Sequence, residues 1–358
     1  MSKIAIIAIT KHGIEIARKM KSRMQEWDIH VPEKFKDGKD DVNWYSDPSP
    51  LAISKLFKSY DGLVCIFSLG AVIRMVAPHL KDKKTDPAVV VIDDKAQFVI
   101  STLSGHLGGA NALARLIASI LNATPVITTA ADVNETIAVD LVGKEFGWTI
   151  DDDANVTKIS AFMVNEEKIG IYQDAGERNW WFKDRPLPTN VQIFNSIDEL
   201  ASSDSKAALI ITDKLLDQRY EQLLDKAVVY RPRSVVVGVG LHWDTTKDEI
   251  VRGIQTTLQE AELSFKSVRN VATINREAIV KGLQEFSTEY GIPVEYFDKN
   301  QLATIEVPNP SNTVMKFEGT QSVSEASALL SAKNNKLLVQ KRKFPPNLTV
   351  AVAEVKVI

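Results

Sequence analysis

Short apolar runs alternate with helical stripes along the first part of the chain. The β-branched run Ile4–Ile9 is followed by apolar residues three to four positions apart at Ile14, Ala17, Met20 and Met24. A continuous apolar run of this length is typical of a strand buried on both faces, and the stripe is typical of an amphipathic helix. The pattern therefore predicts a parallel strand that leads into a helix.

The same alternation predicts the rest of the first domain. Residues 25–50 are polar and contain three prolines, so we expect a surface excursion there. The following predicted elements are a helix at Leu51–Tyr60, a strand at Leu63–Phe67, a helix at Ala71–Val76, a hairpin of Val89–Ile92 with Gln97–Ile100, a helix at Asn111–Leu121, a strand at Pro125–Thr129 and a closing helix at Glu135–Phe146. Together they predict an N-terminal α/β sheet domain over residues 1–150.

The pattern weakens from residue 151 to residue 230, where strands are predicted only at Ile169–Tyr172 and Ala208–Ile211. We interpret this segment as a small central α/β domain, with Trp180-Trp181 as local core rather than a stacking platform. After a boundary near Arg231, a C-terminal three-layer α/β/α domain is predicted over residues 231–358. Its elements are a strand at Ser234–Val239 ending in a glycine turn, helices at Lys247–Gln259 and Glu277–Tyr290, a strand at Val294–Phe297, a helix at Ser324–Ala332 and strands at Lys336–Gln340 and Leu348–Val355. The predicted fold class is multi-domain α/β.

One stretch places a glycine-rich loop between a predicted strand and a helix, and it reads Ser104-Gly105-His106-Leu107-Gly108-Gly109-Ala110-Asn111. Free N–H groups and the positive end of a helix dipole suit a carboxylate, a phosphate or a developing oxyanion. The structural alternative is that the glycines only permit a tight turn, with a solvated His106. Ser68, His106 and Thr129 each follow a predicted strand. Because ligands bind outside the carboxyl ends of strands in open α/β sheets, we expect a crevice there.

Composition narrows the classes of function. The 358 residues carry a formal net charge of −3, which gives no electrostatic footprint for nucleic acid or an anionic membrane. The single cysteine, Cys65, lies in an apolar run, which excludes a disulfide scaffold and thiolate metal sites. Five scattered histidines without HxxxH spacing predict no protein metal site. The N-terminal apolar run is too short for a signal peptide, so we expect a cytoplasmic protein without a membrane span.

Several segments together resemble one known family. The run DPAVVVIDDKAQFVISTLSGHLGGANALA, then PVITTAAD, and later PNPS and SVSEASALL closely resemble the cobalamin-biosynthesis protein CbiG family, the cobalt-precorrin-5A hydrolases of the anaerobic pathway. The resemblance is strong from Leu69 to Asp132, good from Ser234 onward, and only positional between them. It implies opening of a δ-lactone on a cobalt-precorrin tetrapyrrole substrate and release of acetaldehyde. No cofactor is implied, because the substrate carries the cobalt. Neighbouring enzymes of the pathway and a homodimer stay open as partners.

Lactone hydrolysis needs a base and donors for an oxyanion. We expect His106 to act as general base on water or on Ser104, with water preferred because no GxSxG elbow is present. The N–H groups around Gly108 and Gly109 are expected to hold the oxyanion. Loss of acetaldehyde resembles a retro-aldol step that needs a further proton carrier. The candidates for that carrier are Asp132, Asp93 and Asp94, of which Asp132 ranks first because it follows a strand end expected near the glycine loop.

A precorrin carries many acetate and propionate groups, so cationic or N–H-rich surfaces should line a wide cleft. The positions expected to bind substrate are Gly105, Gly108, Gly109, Asn111, Arg74, Lys84, Thr129, Gly238, Gly240, Asn309 and Ser322. Ser322 is also spaced from Glu325 as in a capping box, and capping alone is the structural alternative for it.

One segment departs from the family pattern. Many members have GxGxRRG where this chain reads GVGLHWD from Gly238. If the arginine pair binds substrate carboxylates in relatives, then His242, Lys247 or Arg252 substitutes here, or the site is built differently.

Three other classes of protein compete with the hydrolase. A non-catalytic corrinoid carrier of the same pathway needs a similar cleft but no ionisable group at position 106. An S-adenosylmethionine-dependent methyltransferase is disfavoured because Thr10-Lys11-His12-Gly13 replaces a glycine signature after the first strand. A nucleotide-binding enzyme is disfavoured because GxxxxGK[ST] is absent and Trp243 interrupts a GxGxxG pattern.

Overall fold

The computed structural model describes residues 3–39, 41–181, 185–276 and 279–356. Contacts between Cα atoms divide the chain into two compact units, Met1–Leu141 and Val142–Ile358. The first unit contains one sheet and the second contains two, so the prediction of a multi-domain α/β chain is confirmed. The domain boundaries at residues 150 and 230 stay a prediction. In the part of the chain that is described, no helix is long and apolar enough to cross a membrane.

The first unit is a seven-stranded sheet with helices on both faces. Its strands are β1 Ile4–Ala8, β2 Asp28–Pro32, β3 Asn43–Tyr45, β4 Gly62–Ile66, β5 Ala88–Ile92, β6 Phe98–Leu103 and β7 Thr124–Val126. Its helices are α1 Lys11–Lys21, α2 Ser49–Ser59, α3 Leu69–Val76, α4 Ala110–Leu121 and the single turn α5 Ala130–Val133. The strand order is β3-β2-β1-β4-β5-β6-β7.

Side chains of successive strand residues enter opposite cores, as the alternation of a strand requires. Ile6 and Val64 pack with α1 and α4 on one face. Ile7 and Cys65 pack with α2 and α3 on the other. The prediction of a buried Cys65 is confirmed, and burial raises the pKa of its thiol to about 12, so the thiol is inert.

The last two strands of this sheet run in the reverse direction. Strands β1 to β5 are mutually parallel, but β6 is antiparallel to β5, and β7 is parallel to β6. The pairing of Val89 with Leu103 places the end of β6 beside the start of β5. His106 and Thr129 therefore lie at the opposite end of the strands from Ser68, and a five-residue strand separates the two ends by roughly 16 Å. The expected single crevice at the carboxyl ends of the strands is wrong, because the hairpin inverts β6.

Two segments of the first unit differ from the sequence prediction. The surface excursion at 25–50 contains β2 and β3, whose short and half-polar strands build one end of the sheet. The predicted closing helix at Glu135–Phe146 is wrong, since only Lys144–Phe146 forms a 3-10 turn there. Two of its most deeply buried residues, Ile137 and Val139, are two positions apart, which is not the spacing of a helical stripe.

The central sheet of the second unit has strand order β10-β9-β11-β12-β8. Its strands are β8 Thr149–Ile150, β9 Ile169–Gln173, β10 Val191–Phe194, β11 Ala207–Ile211 and β12 Ala227–Arg231, and its helices are α6 Val156–Val164, α7 Ile197–Ser202 and α8 Glu221–Leu224. The predicted strands β9 and β11 are confirmed, while β10 and β12 were not predicted. All strands but β8 are parallel.

The C-terminal sheet has strand order β15-β14-β13-β17-β16. Its strands are β13 Val235–Leu241, β14 Val268–Ile274, β15 Val294–Phe297, β16 Leu337–Phe344 and β17 Leu348–Glu354, and its helices are α9 Lys247–Glu260, α10 Lys281–Tyr290, α11 Lys299–Ala303, α12 Asn312–Glu318 and α13 Val323–Ala332. Helices α9 and α10 cover one face and α13 covers the other, so the predicted three layers are confirmed. The predicted start of α10, at Glu277, lies outside the described residues.

Gly238 and Gly240 lie inside β13, so the predicted glycine turn is wrong. Both residues pair with β17, whose length keeps β13 extended through Leu241. A Cβ atom at Gly238 would lie 1.9 Å from the carbonyl oxygen of Ser324 in α13. The glycine is therefore needed for close packing of a helix on a strand.

We expect Gly238→Ala to lower the free energy of unfolding by about 3 kcal/mol, because backbone of α13 must move away from the sheet. Gly70→Ala is the matched control, since a Cβ there meets nothing within 4 Å and Gly70 lies inside α3. Urea unfolding of both variants measures the difference. Equal midpoints for the two variants would contradict this packing role.

Candidate active site

The glycine-rich loop joins the end of β6 to the start of α4. Gly109, the residue before the helix, has a φ of 85°, in the left-handed region that glycine favours. A Cβ at Gly108 would lie 2.3 Å from the Cβ of Ser104, whose own φ is 56°. The loop is therefore folded back tightly on itself, and the structural alternative accounts for these two glycines.

Backbone donors at the start of α4 are already used within the loop. The N–H groups donate to loop carbonyls, Gly109 to His106 at 3.0 Å, Ala110 to Ser104 at 3.1 Å and Asn111 to Gly105 at 3.0 Å. The N–H of Gly109 is thus engaged, and in this conformation it is not offered to an oxyanion. The predicted role of the loop as an oxyanion hole stays untested at Gly108.

Asn111 ties three parts of the site together. Its side-chain oxygen accepts a hydrogen bond from the Ser101 hydroxyl at 2.6 Å. Its side-chain nitrogen donates to Thr129 Oγ1 at 2.9 Å and to Asp132 Oδ2 at 2.8 Å. Asn111 is only 5% exposed, so these bonds satisfy a buried amide and fix its orientation. The amide holds β6, α4 and the segment that carries Asp132 in register.

His106 lies between two carboxylates. Its Nε2 is 3.0 Å from Oδ2 of Asp132, and its Nδ1 is 3.3 Å from Oδ1 of Asp140. The three side chains are each about one-fifth exposed, which leaves them accessible to a ligand. Asp132 is further held by Arg115, whose Nη2 donates to Oδ1 at 2.9 Å. His106, Asp132 and Asp140 thus form a charged acid–base cluster next to the amino-terminal end of β5.

This arrangement favours the imidazolium form of His106. The hydrogen bond to Asp140 is the largest cause that raises the pKa of His106 above its ordinary value of 6.5, Asp132 raises it further, and partial burial opposes both. Because both ring nitrogens face carboxylate oxygens, each is placed to donate a hydrogen bond. The expectation that His106 begins as a general base remains a prediction, and the geometry favours a proton donor instead.

The Ser104 hydroxyl is directed away from His106. It donates to the carbonyl oxygen of Asp86 at 2.9 Å, next to the start of β5. The geometry therefore favours attack by water over attack by Ser104, in agreement with the preference stated from the sequence.

Asp93 and Asp94 lie at the other end of β5. The Asp93 carboxylate accepts hydrogen bonds from the N–H groups of Lys95 and Phe98 and so closes the hairpin turn. Asp94 accepts a hydrogen bond from the Thr10 hydroxyl. The length of the strand separates both carboxylates from His106, which leaves Asp132 as the predicted acid that reaches the cluster.

Six of the predicted substrate-binding positions lie on other elements of the described chain. Arg74 on α3 and Lys84 before β5 are exposed side chains of the first unit. The other four lie in the second unit and are Gly238, Gly240, Asn309 and Ser322. Gly105, Gly108, Gly109, Asn111 and Thr129 are the predicted positions that the fold brings to His106.

Asn309 binds a buried carboxylate, that of Glu325, instead of lining a cleft. Glu325 is fully buried and accepts hydrogen bonds from the backbone and side chain of Asn309 and from the N–H of Lys341. Since its carboxylate is turned to these donors, the predicted capping box with Ser322 does not form. The Ser322 hydroxyl is buried, and no partner for it is found among the described residues.

Two of the residues considered as replacements for the arginine pair are held by acidic neighbours. His242 lies 2.6 Å from Asp244, and Lys247 lies 2.7 Å from Glu289. Whether they or Arg252 bind substrate carboxylates stays a prediction.

The sequence did not point to Asp140 or Arg115 as members of the site. Arg115 follows Asn111 by four positions in a predicted helix, so helical spacing places both on one face, and this signal was present. Asp140 lies in the segment predicted as a helix and carries no motif. Across the described residues, no group of three or more His, Cys, Asp or Glu side chains is placed to hold a metal ion.

Comparison with known proteins places the chain in a family. Three family models match consecutive parts of it: "Cobalamin synthesis G N-terminal" at residues 52–132, "Cobalamin biosynthesis central region" at 137–232 and "Cobalamin synthesis G C-terminus" at 235–353. A protein from Priestia megaterium named cobalt-precorrin-5A hydrolase is 44% identical, covering 98% of this chain and 94% of its own. The chain belongs to the CbiG family.

More distant members of the CbiG family also match over their full length. A cobalt-precorrin-5A hydrolase from Salmonella typhimurium is 28% identical, covering 98% of this chain and 97% of its own. A solved structure of a cobalamin biosynthesis protein G homolog from Sulfolobus solfataricus is 24% identical, covers 99% of this chain and 97% of its own, and superposes with a TM-score of 0.39.

We expect Asp140→Asn to lower the pKa of His106 toward its ordinary value of 6.5, because the hydrogen bond to that carboxylate is the largest cause of the raised value. Titration by NMR of the ring carbon-bound protons is feasible, since the chain has only five histidines. Asp94→Asn, at the opposite end of the strands, is the matched control, and we expect it to leave the titration of His106 unchanged. A His106 pKa that does not move in Asp140→Asn would show that Asp140 does not stabilise the imidazolium.

Proposed function

We propose that this CbiG-family chain is a cobalt-precorrin-5A hydrolase that opens the δ-lactone of its tetrapyrrole substrate and releases acetaldehyde, which makes it a hydrolase acting on a carbon–carbon bond. The observation that carries this proposal is the 44% identity with a hydrolase of that name over 98% of the chain. The cluster of His106, Asp132, Asp140 and Asn111 supplies a group suited to the required proton transfers.

Lactone opening needs a proton for the departing ring oxygen and an activated water. We assign the proton to His106, because Asp140 and Asp132 hold its ring in the charged form. Asp132 is engaged by donors on His106, Asn111 and Arg115, so it orients the ring. Asp140 meets His106 through Oδ1, and we assign to it the positioning of the attacking water and acceptance of its proton.

Loss of acetaldehyde follows from the same group. Ring opening leaves a hydroxyl on the two-carbon unit and a neutral His106 ring. The neutral ring takes the hydroxyl proton, the carbon–carbon bond breaks to give acetaldehyde, and the proton passes to the macrocycle carbon left behind. The proton that Asp140 took from water then returns to His106, which restores the imidazolium and the carboxylate. One histidine thus serves first as acid and then as base, as in enzymes that use one residue for both halves of a reaction. The cobalt is part of the substrate, and we propose no further cofactor.

The experiment is anaerobic incubation of the full chain with cobalt-precorrin-5A, with acetaldehyde followed through a coupled alcohol dehydrogenase. We expect wild type to release acetaldehyde and His106→Gln to lose about 100-fold or more in kcat, the lower range for loss of a general acid or base. His12→Gln is the matched control, since His12 also faces an aspartate but at the opposite sheet edge. If wild type binds the tetrapyrrole and releases nothing, the corrinoid carrier replaces the hydrolase.

The pH dependence of kcat distinguishes a general-acid role of His106 in the first step from a general-base role. Because the active form is the imidazolium and its pKa is raised above 6.5, we expect kcat to be highest below that raised value and to fall as the pH rises through it. Asp140→Asn moves this fall to lower pH. A kcat that instead rises with pH through the same range would restore the general-base role predicted from the sequence.

A further inference from the structure

A cavity of about 610 Å³ lies on one face of the central sheet, and no sequence motif predicted a role for it. This volume is within the range of cavities that bind small molecules, roughly 300–1,000 Å³. It is lined by strands β9 and β10 and by the chain that joins them, which carries Trp180 and Trp181.

The cavity exists because one crossover has no helix in its described part. Parallel neighbours such as β9 and β10 are usually joined by a helix that covers the sheet. Here residues 174–181 and 185–190 contain no helix. Crossovers between parallel strands are right-handed. The connection from β9 to β10 moves along the sheet in the opposite direction to those that contain α7 and α8, so it lies on the opposite face. The space that a helix would fill is the cavity.

The floor of the cavity is apolar and open. Ile171 and Ile193 are register partners on β9 and β10 and face it side by side. Ile171 is only 1% exposed, whereas Ile193, on the edge strand β10, is 59% exposed. The face is therefore closed at β9 and open along β10, and the interpretation of the tryptophan pair as local core stays a prediction.

The walls are aromatic and held in place by hydrogen bonds. The two tryptophan rings are 6.3 Å apart at 63° to each other, and both are half-buried. The ring N–H of Trp180 donates to the side-chain oxygen of Gln173 at 2.9 Å, and the Gln173 nitrogen donates to the carbonyls of Ala175 and Glu177. Gln173 therefore fixes the wall before any ligand binds, which lowers the entropy cost of binding.

The described lining residues carry positive charge. Arg178 and Arg185 line the cavity, and no carboxylate is among the described residues that do so. Arg178 donates from Nη1 to the backbone carbonyl of Gln173, which positions the guanidinium without neutralising it. Guanidinium groups bind carboxylates through paired hydrogen bonds, so the lining suits an anionic ligand with a flat apolar body.

The position in the fold agrees with this chemistry. Gln173 ends β9 and Asn195 follows β10, so the cavity opens at the carboxyl ends of parallel strands. The connections from β9 to β10 and from β11 to β12 run in opposite directions, so the topological switch point lies between β9 and β11, and the cavity borders it through β9. Ligands bind at such points in open α/β sheets.

We propose that this cavity binds a flat macrocycle bearing carboxylates, with Trp180 and Trp181 against its apolar surface and Arg178 on a carboxylate. The identification of that ligand as the cobalt-precorrin substrate rests on the proposed function. The central segment then supplies substrate affinity and is separate in role from the acid–base cluster of the first unit.

Binding is measured by the fluorescence anisotropy of uroporphyrin III, a stable cobalt-free tetrapyrrole with acetate and propionate groups. We expect Arg178→Gln to raise its Kd about 10-fold or more, since a charge-assisted hydrogen bond contributes about 1.5–3 kcal/mol. Arg219→Gln is the matched control, because Arg219 is an exposed arginine of the same sheet that lies over Tyr220 on the opposite face. Trp180→Phe tests the wall, with the 70% exposed Trp243→Phe as its control.

A second pair of variants guards against loss of folding. Ile193 is exposed, so Ile193→Glu and Ile193→Gln both leave the core intact. We expect the glutamate to weaken uroporphyrin binding well beyond the glutamine, because it places a negative charge on the cavity floor. Equal affinities in this pair, together with a wild-type Kd in Arg178→Gln, would overturn the proposed site.

Turnover of cobalt-precorrin-5A separates this inference from the proposed function. We expect Arg178→Gln to raise KM with kcat unchanged, whereas His106→Gln lowers kcat. If wild type releases acetaldehyde and the cavity variants keep its KM, the cavity is not the substrate site and the hydrolase stands. If wild type binds uroporphyrin in an Arg178-dependent manner but releases no acetaldehyde, the binding site stands and the hydrolase does not.

Discussion

The buried amide of Asn111 is the contact on which the geometry of the candidate active site depends. It accepts from Ser101 on β6 and donates to Thr129 and Asp132, so one side chain joins three segments that are distant in sequence. Leaving this buried amide without hydrogen bonds would cost about 1–3 kcal/mol of folding free energy, so the conformation that keeps all three partners in place is favoured. Asp132 is thereby placed beside His106, and the acid–base cluster follows from that placement.

The charge state of His106 follows from two carboxylates acting on one ring. A single aspartate would leave one nitrogen free to accept a proton, as in a hydrolase triad. With Asp140 on Nδ1 and Asp132 on Nε2, the ring is stabilised as a cation, and we propose that it begins the reaction as a donor. This reverses the first role expected for it from the sequence, although the residue and the loop are the same.

The reversed direction of β6 and β7 moves the glycine-rich loop to the amino edge of the parallel strands. Ligand sites in open α/β sheets commonly lie at the other edge, where Ser68 and the Thr10–Asp94 hydrogen bond are found in this unit. In the central sheet the same rule leads to the carboxyl ends of β9 and β10, beside the tryptophan-lined cavity. Each unit thus offers different chemistry, with proton transfer in the first and an aromatic, cationic surface in the second.

The sequence by itself determined the α/β class, most buried strands and the candidate loop, because apolar periodicity and glycine position are local properties. It missed β2, β3 and β10, whose short and half-exposed strands carry a weak alternation, and it also missed the buried strands β12 and β14. It predicted a helix where the chain turns Asp140 toward His106. The sequence around Gly238 suggested a turn, but the role of this glycine in the close packing of α13 depends on a helix more than 80 residues later. The direction of β6, the pairing of His106 with two aspartates and the cavity beside Trp180 were decided only by the tertiary structure. Each of them depends on contacts between residues that are far apart in the chain, and no local pattern encodes such contacts.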